Sequence, residues 1–210
     1  MAALAVDRAP PGWRFWLLWM GASIAAAVAY TLFIPVVFGI INALAPMQQV
    51  ENLAPEQRWI GIAFGLLGSG ALGAAIGLAQ WWVMRKYLSR VGWWVLATLI
   101  GYAVPLSLGP LIPVREPWLA GLSVFLMFGV ILGILQWLTL RGRVQKAGWW
   151  IAVSVGGWLL PYALTDIAYL SGVYVEPFDL LSAYFIPVAV AGAGMIWLLR
   201  RSIPVIPAIG

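Results

Sequence analysis

An all-α transmembrane bundle of six helices is the fold this chain predicts, and three observations predict it. Of its 210 residues, 63% are hydrophobic and 9% are charged, whereas a soluble domain carries about 25% charged residues. The mean hydropathy is +0.95, and a soluble fold of this size cannot hide that much apolar surface. The apolar residues also fall into six runs, each long enough to match the roughly 20 residues that cross a bilayer. These figures set aside a soluble enzyme, a nucleic-acid binder and a disordered tail. The net charge of +5 is no nucleic-acid footprint, because the basic residues sit at the ends of apolar runs.

The first span reads from Phe15 to Ala43, with Pro35 inside it. Arg8 and Arg14 precede it, and the alanines near Ala27 to Ala29 would suit a signal peptidase. Its apolar run nevertheless continues to Ile41, far beyond a signal h-region, so it is read as a retained span. The second span is Trp59 to Met84. Both exceed the minimum, which predicts tilt or a kink. The third is Val91 to Leu111, the fourth Trp118 to Leu140, the fifth near Trp149 to near Tyr169, and the sixth Leu180 to Leu199. Together they make residues 1–210 a single membrane domain.

Charge sets the orientation. Arg8, Arg14, Arg85, Lys86, Arg90, Arg141, Arg143, Lys146, Arg200 and Arg201 fall before the first span or after the second, fourth and sixth. The opposite loops hold only Arg58 and Arg115, together with Glu51, Glu56, Glu116, Asp166, Glu176 and Asp179. By the positive-inside rule both termini face the cytoplasm, which predicts a multipass membrane protein.

The spans also repeat. A shift of 56 positions lays residues 65–109 over residues 121–165. It matches Gly73 with Gly129, Gly77 with Gly133, Gln80-Trp81 with Gln136-Trp137, and Arg85 with Arg141. It also matches the Gly-Trp-Trp of 92–94 with that of 148–150, Gly101 with Gly157, and Pro105 with Pro161. Both copies run the same way through the membrane, so the expectation is a parallel repeat of helical hairpins. A split third copy is suggested by Gly12-Trp13 followed by Gly21, spaced as Gly92-Trp93 followed by Gly101. Gly192 and Arg200 likewise have the spacing of Gly77 and Arg85. The sixth and first spans would then form a third hairpin, giving approximate threefold symmetry, although no Gln aligns in it.

The candidate site residues lie in these hairpins. Gln80 and Gln136 stand five residues before an Arg, about 7–8 Å inside the interface at 1.5 Å per residue. A carboxamide there must find a partner. It would either lock its hairpin by hydrogen bonding to the returning helix or line a shared polar pocket, where it could ligate a pigment metal. Trp81, Trp93, Trp94, Trp137, Trp149 and Trp150 cluster by the basic turns, as anchors in an aromatic belt or as walls of a groove for a lipid tail, a carotenoid or a partner helix. Gly61, Gly65, Ser69, Gly73 and Gly77 recur every four residues, and Gly121, Gly129 and Gly133 repeat the stripe in part. Such stripes let helices approach closely, within the bundle or against a second protein.

Asp166 is a weaker candidate. An acid at membrane depth is functional by default, unless the fifth span ends before it and leaves it in a solvated loop. Pro105 and Pro161 are expected to break their helices at matching depths, freeing backbone carbonyls. Gly68, Gly70 and Gly73 spell G-x-G-x-x-G, but inside an apolar span without a preceding strand this is no dinucleotide site. The chain has neither Cys nor His, so it cannot build a His- or Cys-ligated metal or haem site, or a His-based triad.

The doubled Gln-Trp-x-x-x-Arg and Gly-Trp-Trp hairpin, at Gln80 to Trp94 and Gln136 to Trp150, resembles a group of uncharacterised bacterial multipass membrane proteins, over roughly residues 61–165. That resemblance implies a helical membrane architecture and no particular activity. The chain is also Trp-rich, like the tryptophan-rich sensory proteins. Those have five spans and a different Trp pattern, so none of their sites carries over. The expected function is a non-enzymatic accessory or scaffolding subunit that packs against lipid, pigment or partner transmembrane subunits. A small transporter or channel is the alternative, favoured by the parallel repeat and matched prolines. An intramembrane enzyme comes third, since it would have to work with Asp166 or scattered loop carboxylates.

Overall fold

The computed structural model describes residues 11–44, 58–108, 116–172 and 176–202, and every regular element among them is helical. Helix α1 spans Trp13–Leu44, α2 Arg58–Met84 and α3 Trp93–Leu108. Helix α4 starts as Pro117–Met127, passes through a π-helical turn at Phe128–Leu132 and continues as Gly133–Leu140. Helices α5 and α6 are Trp149–Leu170 and Glu176–Ser202. Five of the six are long and apolar enough to cross a membrane. The exception is α3, whose 16 residues rise about 24 Å, short of the ~30 Å hydrocarbon core. Its expected continuation to Leu111 lies outside the described residues.

Local chemistry explains the helix limits. Glu116 is extended (φ −82°, ψ 117°), with Pro117 opening α4, where the missing N–H costs nothing. At the far end of α5, Ser171 N donates to the Ile167 carbonyl, and Gly172 supplies the left-handed turn at φ +72°. The expected breaks at Pro105 and Pro161 do not occur. Helices α3 and α5 run on through both prolines, so each proline forfeits one backbone hydrogen bond without ending its helix. Asp166 likewise sits inside α5, half-buried, rather than in a loop.

The two basic turns share much of their backbone hydrogen bonding, although Gly142 takes φ +75° where its counterpart Lys86 has no positive φ. In the α2–α3 turn Arg85 N donates to Trp81 O at 2.8 Å, Trp94 N to Val91 O at 3.0 Å and Val95 N to Gly92 O at 3.2 Å. In the α4–α5 turn Arg141 N donates to Trp137 O at 2.8 Å, Trp150 N to Ala147 O at 2.9 Å and Ile151 N to Gly148 O at 3.2 Å. Arg90 and Lys146, which are 56 positions apart, both take φ +56°.

Each helix packs on the next in sequence, and α6 packs back on α1, so the six close into a ring. The end of α6, the start of α1 and both basic turns meet at one end. There Arg200 Nε donates to Pro11 O at 2.8 Å, Gln145 N to Ser202 Oγ at 2.8 Å, and the Phe15 ring meets Tyr87 edge-on. The core at this end holds Phe15, Trp19, Trp94, Leu140, Trp150 and Met195. A second cluster, with Ile76, Tyr102, Phe128, Leu132 and Trp158, continues it along the bundle. Lipid tails are as apolar as leucine, so close packing, not escape from solvent, holds such helices together. Large apolar side chains cover the outside, including Leu17, Leu32, Phe33, Leu67 and Leu170.

Candidate functional site

At the basic end the turns of α2–α3 and α4–α5 carry each helix back beside its predecessor, so residues 14 apart meet. Gln80 Oε1 accepts from Trp94 Nε1 at 2.9 Å, and Gln136 Oε1 accepts from Trp150 Nε1 at 3.0 Å. An indole N–H can only donate, so the oxygen of each carboxamide faces it. The amide nitrogens then reach sideways to a neighbouring helix, α3 for Gln136 and α1 for Gln80. Gln136 Nε2 donates to Thr98 Oγ1 at 3.0 Å, and Gln80 Nε2 donates to Ser23 Oγ at 3.4 Å. Thr98 Oγ1 donates on to the Trp94 carbonyl. Gln80, Gln136, Thr98 and Ser23 are all buried.

Three indoles surround this network. Trp19, Trp94 and Trp150 are 0%, 0% and 1% exposed. Trp94 meets Trp19 edge-on at 6.1 Å and Trp150 at 5.4 Å. Each is followed four residues later by a hydroxyl residue, Ser23, Thr98 or Ser154. A cavity of about 30 Å³ is lined by Trp19, Trp150, Thr98 and Ser154 together with both glutamines.

The hairpin partners are therefore the second tryptophans of the two Gly-Trp-Trp triplets, not the first. Trp93 and Trp149 point outward, 69% and 60% exposed. Trp93 instead walls a surface groove of about 260 Å³ with Leu96, Leu135, Leu138 and Arg143. Trp81 and Trp137 lie outside the hydrogen-bond network and carry Arg85 and Arg141 over their rings at 5.1 and 6.0 Å. Trp13, aligned with Trp93 in the expected third copy, is exposed as Trp93 is, and the indole beside Trp94 is that of Trp19, six residues further on.

The glycine stripe faces inward within each hairpin. A Cβ on Gly73 would lie 2.7 Å from the Thr98 carbonyl oxygen, and one on Gly77 3.1 Å from Val95 Cα. On α4, a Cβ at Gly129 would lie 2.6 Å from Val155 Cα, and one at Gly133 3.2 Å from Ile151 Cα. Gly65 faces Ser107 of α3 and Gly121 faces the Tyr162 ring of α5. Gly61 lies in α2, but its surroundings fall outside the described residues. Asp166 stands one turn beyond Tyr162, whose hydroxyl donates to the Trp118 carbonyl, far along α5 from the carboxamides.

Carboxamides, hydroxyls and indoles hold positions and do not titrate near neutral pH, so this network orients and binds. The pairing of Trp94 and Trp150 with glutamine, and the entry of Trp19, were missed by reading spacing along the turns. The recurrence of Trp-x-x-x-Ser/Thr at 19–23, 94–98 and 150–154 was the available signal. No protein-family model, no curated protein and no solved structure matches this chain.

Proposed function

We propose that this chain is a non-enzymatic accessory or scaffolding subunit, a rigid bundle in the bacterial cytoplasmic membrane with both termini in the cytoplasm. It would pack against lipid, pigment or the transmembrane helices of partner proteins. In this reading residues 65–109 and 121–165 are two copies of one hairpin unit, and α6 with α1 forms a diverged third. Support comes from the matched turns, the two Gln–Trp bonds and the three Trp-x-x-x-Ser/Thr steps.

One observation carries the scaffold reading. Among the described residues Gln80, Gln136, Thr98 and Ser23 bond to one another or to the packed indoles of Trp94 and Trp150, while large apolar side chains cover the outside. A small transporter or channel would need a polar path where those indoles stand. The test is extraction into native nanodiscs or mild detergent, followed by mass spectrometry and absorbance spectra. A copurifying transmembrane subunit, retained lipid or pigment is the expected result. A monodisperse monomer carrying nothing would overturn the proposal.

A further inference from the structure

Trp19 Nε1 is buried and has no hydrogen-bond partner among the described residues, although its indole belongs to the same cluster as Trp94 and Trp150. A buried indole N–H that gave up water without replacement is costly. The cavity of about 30 Å³ is bounded by Trp19, Ser154, Gln80, Gln136 and Ala191. It has polar partners on several sides, and a water needs roughly 10–15 Å³ of such space. The volume admits one or two waters and excludes an acyl chain or a pigment.

The local register says what belongs there. A Cβ on Gly101 would touch Leu132, four residues before Gln136. A Cβ on Gly157 would approach Pro187 Cα, four residues before Ala191. Ala191 thus holds on α6 the position that Gln136 holds on α4. A carboxamide there would accept from Trp19 and donate toward Ser154, as Gln136 accepts from Trp150 and donates to Thr98. Alanine can do neither, and it leaves the space.

We propose that this cavity is a binding site for one ordered water, which accepts from Trp19 Nε1–H and donates to Ser154 Oγ, doing the work of the missing carboxamide. The unpartnered N–H and the cavity carry this independently of the scaffold reading, whose failure in copurification would leave it intact.

The experiment uses the full chain in lipid nanodiscs, with ¹⁵N-labelled tryptophan and indole signals assigned by Trp19→Phe, Trp94→Phe and Trp150→Phe. Magnetisation transfer from water to each indole proton is then measured. The Trp19 proton should receive it, and the Trp94 and Trp150 protons should not. Ala191→Gln should abolish the transfer and slow Trp19 exchange to the range of the other two. Ala191→Met fills the same volume without a hydrogen bond, so it should be less stable than Ala191→Gln. No transfer to Trp19 in the unsubstituted protein would overturn the proposal, even if neither Ala191 variant folds. Transfer that persists in Ala191→Gln, or an Ala191→Met variant as stable as Ala191→Gln, would also overturn it.

Discussion

The two central hairpins and the α6–α1 pair solve one packing problem in different ways. In α2–α3 and α4–α5, glycines bring backbone against backbone, and a carboxamide crosses the interface to an indole. Between α6 and α1, the glycine at 192 meets tryptophan rings instead. A Cβ there would lie 2.9 Å from Trp19 Cδ1 and 3.0 Å from Trp16 Cδ1. Beside Gly192 the polar link is Trp16 Nε1 to the Ala189 carbonyl at 3.0 Å, while Trp19 Nε1 finds no partner among the described residues. The difference teaches that close approach and carboxamide locking go together. Between α6 and α1, where Ala191 stands in place of a carboxamide, indole edges rather than main chain face the glycine.

Substitutions can break or sharpen this contrast. The largest effect is expected at the glycines that face backbone. Gly129→Ala and Gly73→Ala force rigid main chains to move and should cost about 1–3 kcal/mol or more. Gly192→Ala meets only ring edges and should cost less, as read from thermal or denaturant unfolding in detergent. Equal losses at all three positions would erase the distinction.

Next come the indoles. Trp94→Phe and Trp150→Phe each strand a buried carboxamide oxygen, which costs about 1–3 kcal/mol. Trp19→Phe strands no protein group and should cost clearly less in the same assay. Within the hairpins, Gln136→Leu should destabilise more than Gln80→Leu, because its second bond is 3.0 Å rather than 3.4 Å. The expected range is about 0.5–2 kcal/mol.

The smallest effect tests the turns. Arg90 and Lys146 hold a left-handed conformation that glycine adopts freely. Arg90→Gly and Lys146→Gly should each raise stability by roughly 0.5–1 kcal/mol. A matched gain at both positions would strengthen the case that the turns are equivalent. A gain at one and a loss at the other would weaken it.

The long helices and the hairpin glutamines were legible in the sequence because hydropathy and spacing are properties of the chain alone. Choosing between Trp93 and Trp94 was not. Adjacent helical residues point about 100° apart, and only the rotation of α3 against α2 decides which one meets Gln80. The continuity of α3 and α5 through Pro105 and Pro161 was equally hidden, since neighbouring helices, not local propensity, hold a proline-bearing turn in place. The π-helical turn at Phe128–Leu132 left no sequence mark, yet it belongs to the segment where Phe128 stacks on Trp158 at 4.3 Å. Ala191 was invisible because its role lies in what its side chain lacks.

The central claim is that a carboxamide–indole bond locks each hairpin, and a double-mutant cycle on Gln136→Leu and Trp150→Phe tests it most directly. With unfolding free energies measured in one detergent, the two positions should couple by about 0.5–2 kcal/mol. Additive losses, agreeing within about 0.3 kcal/mol, would contradict it.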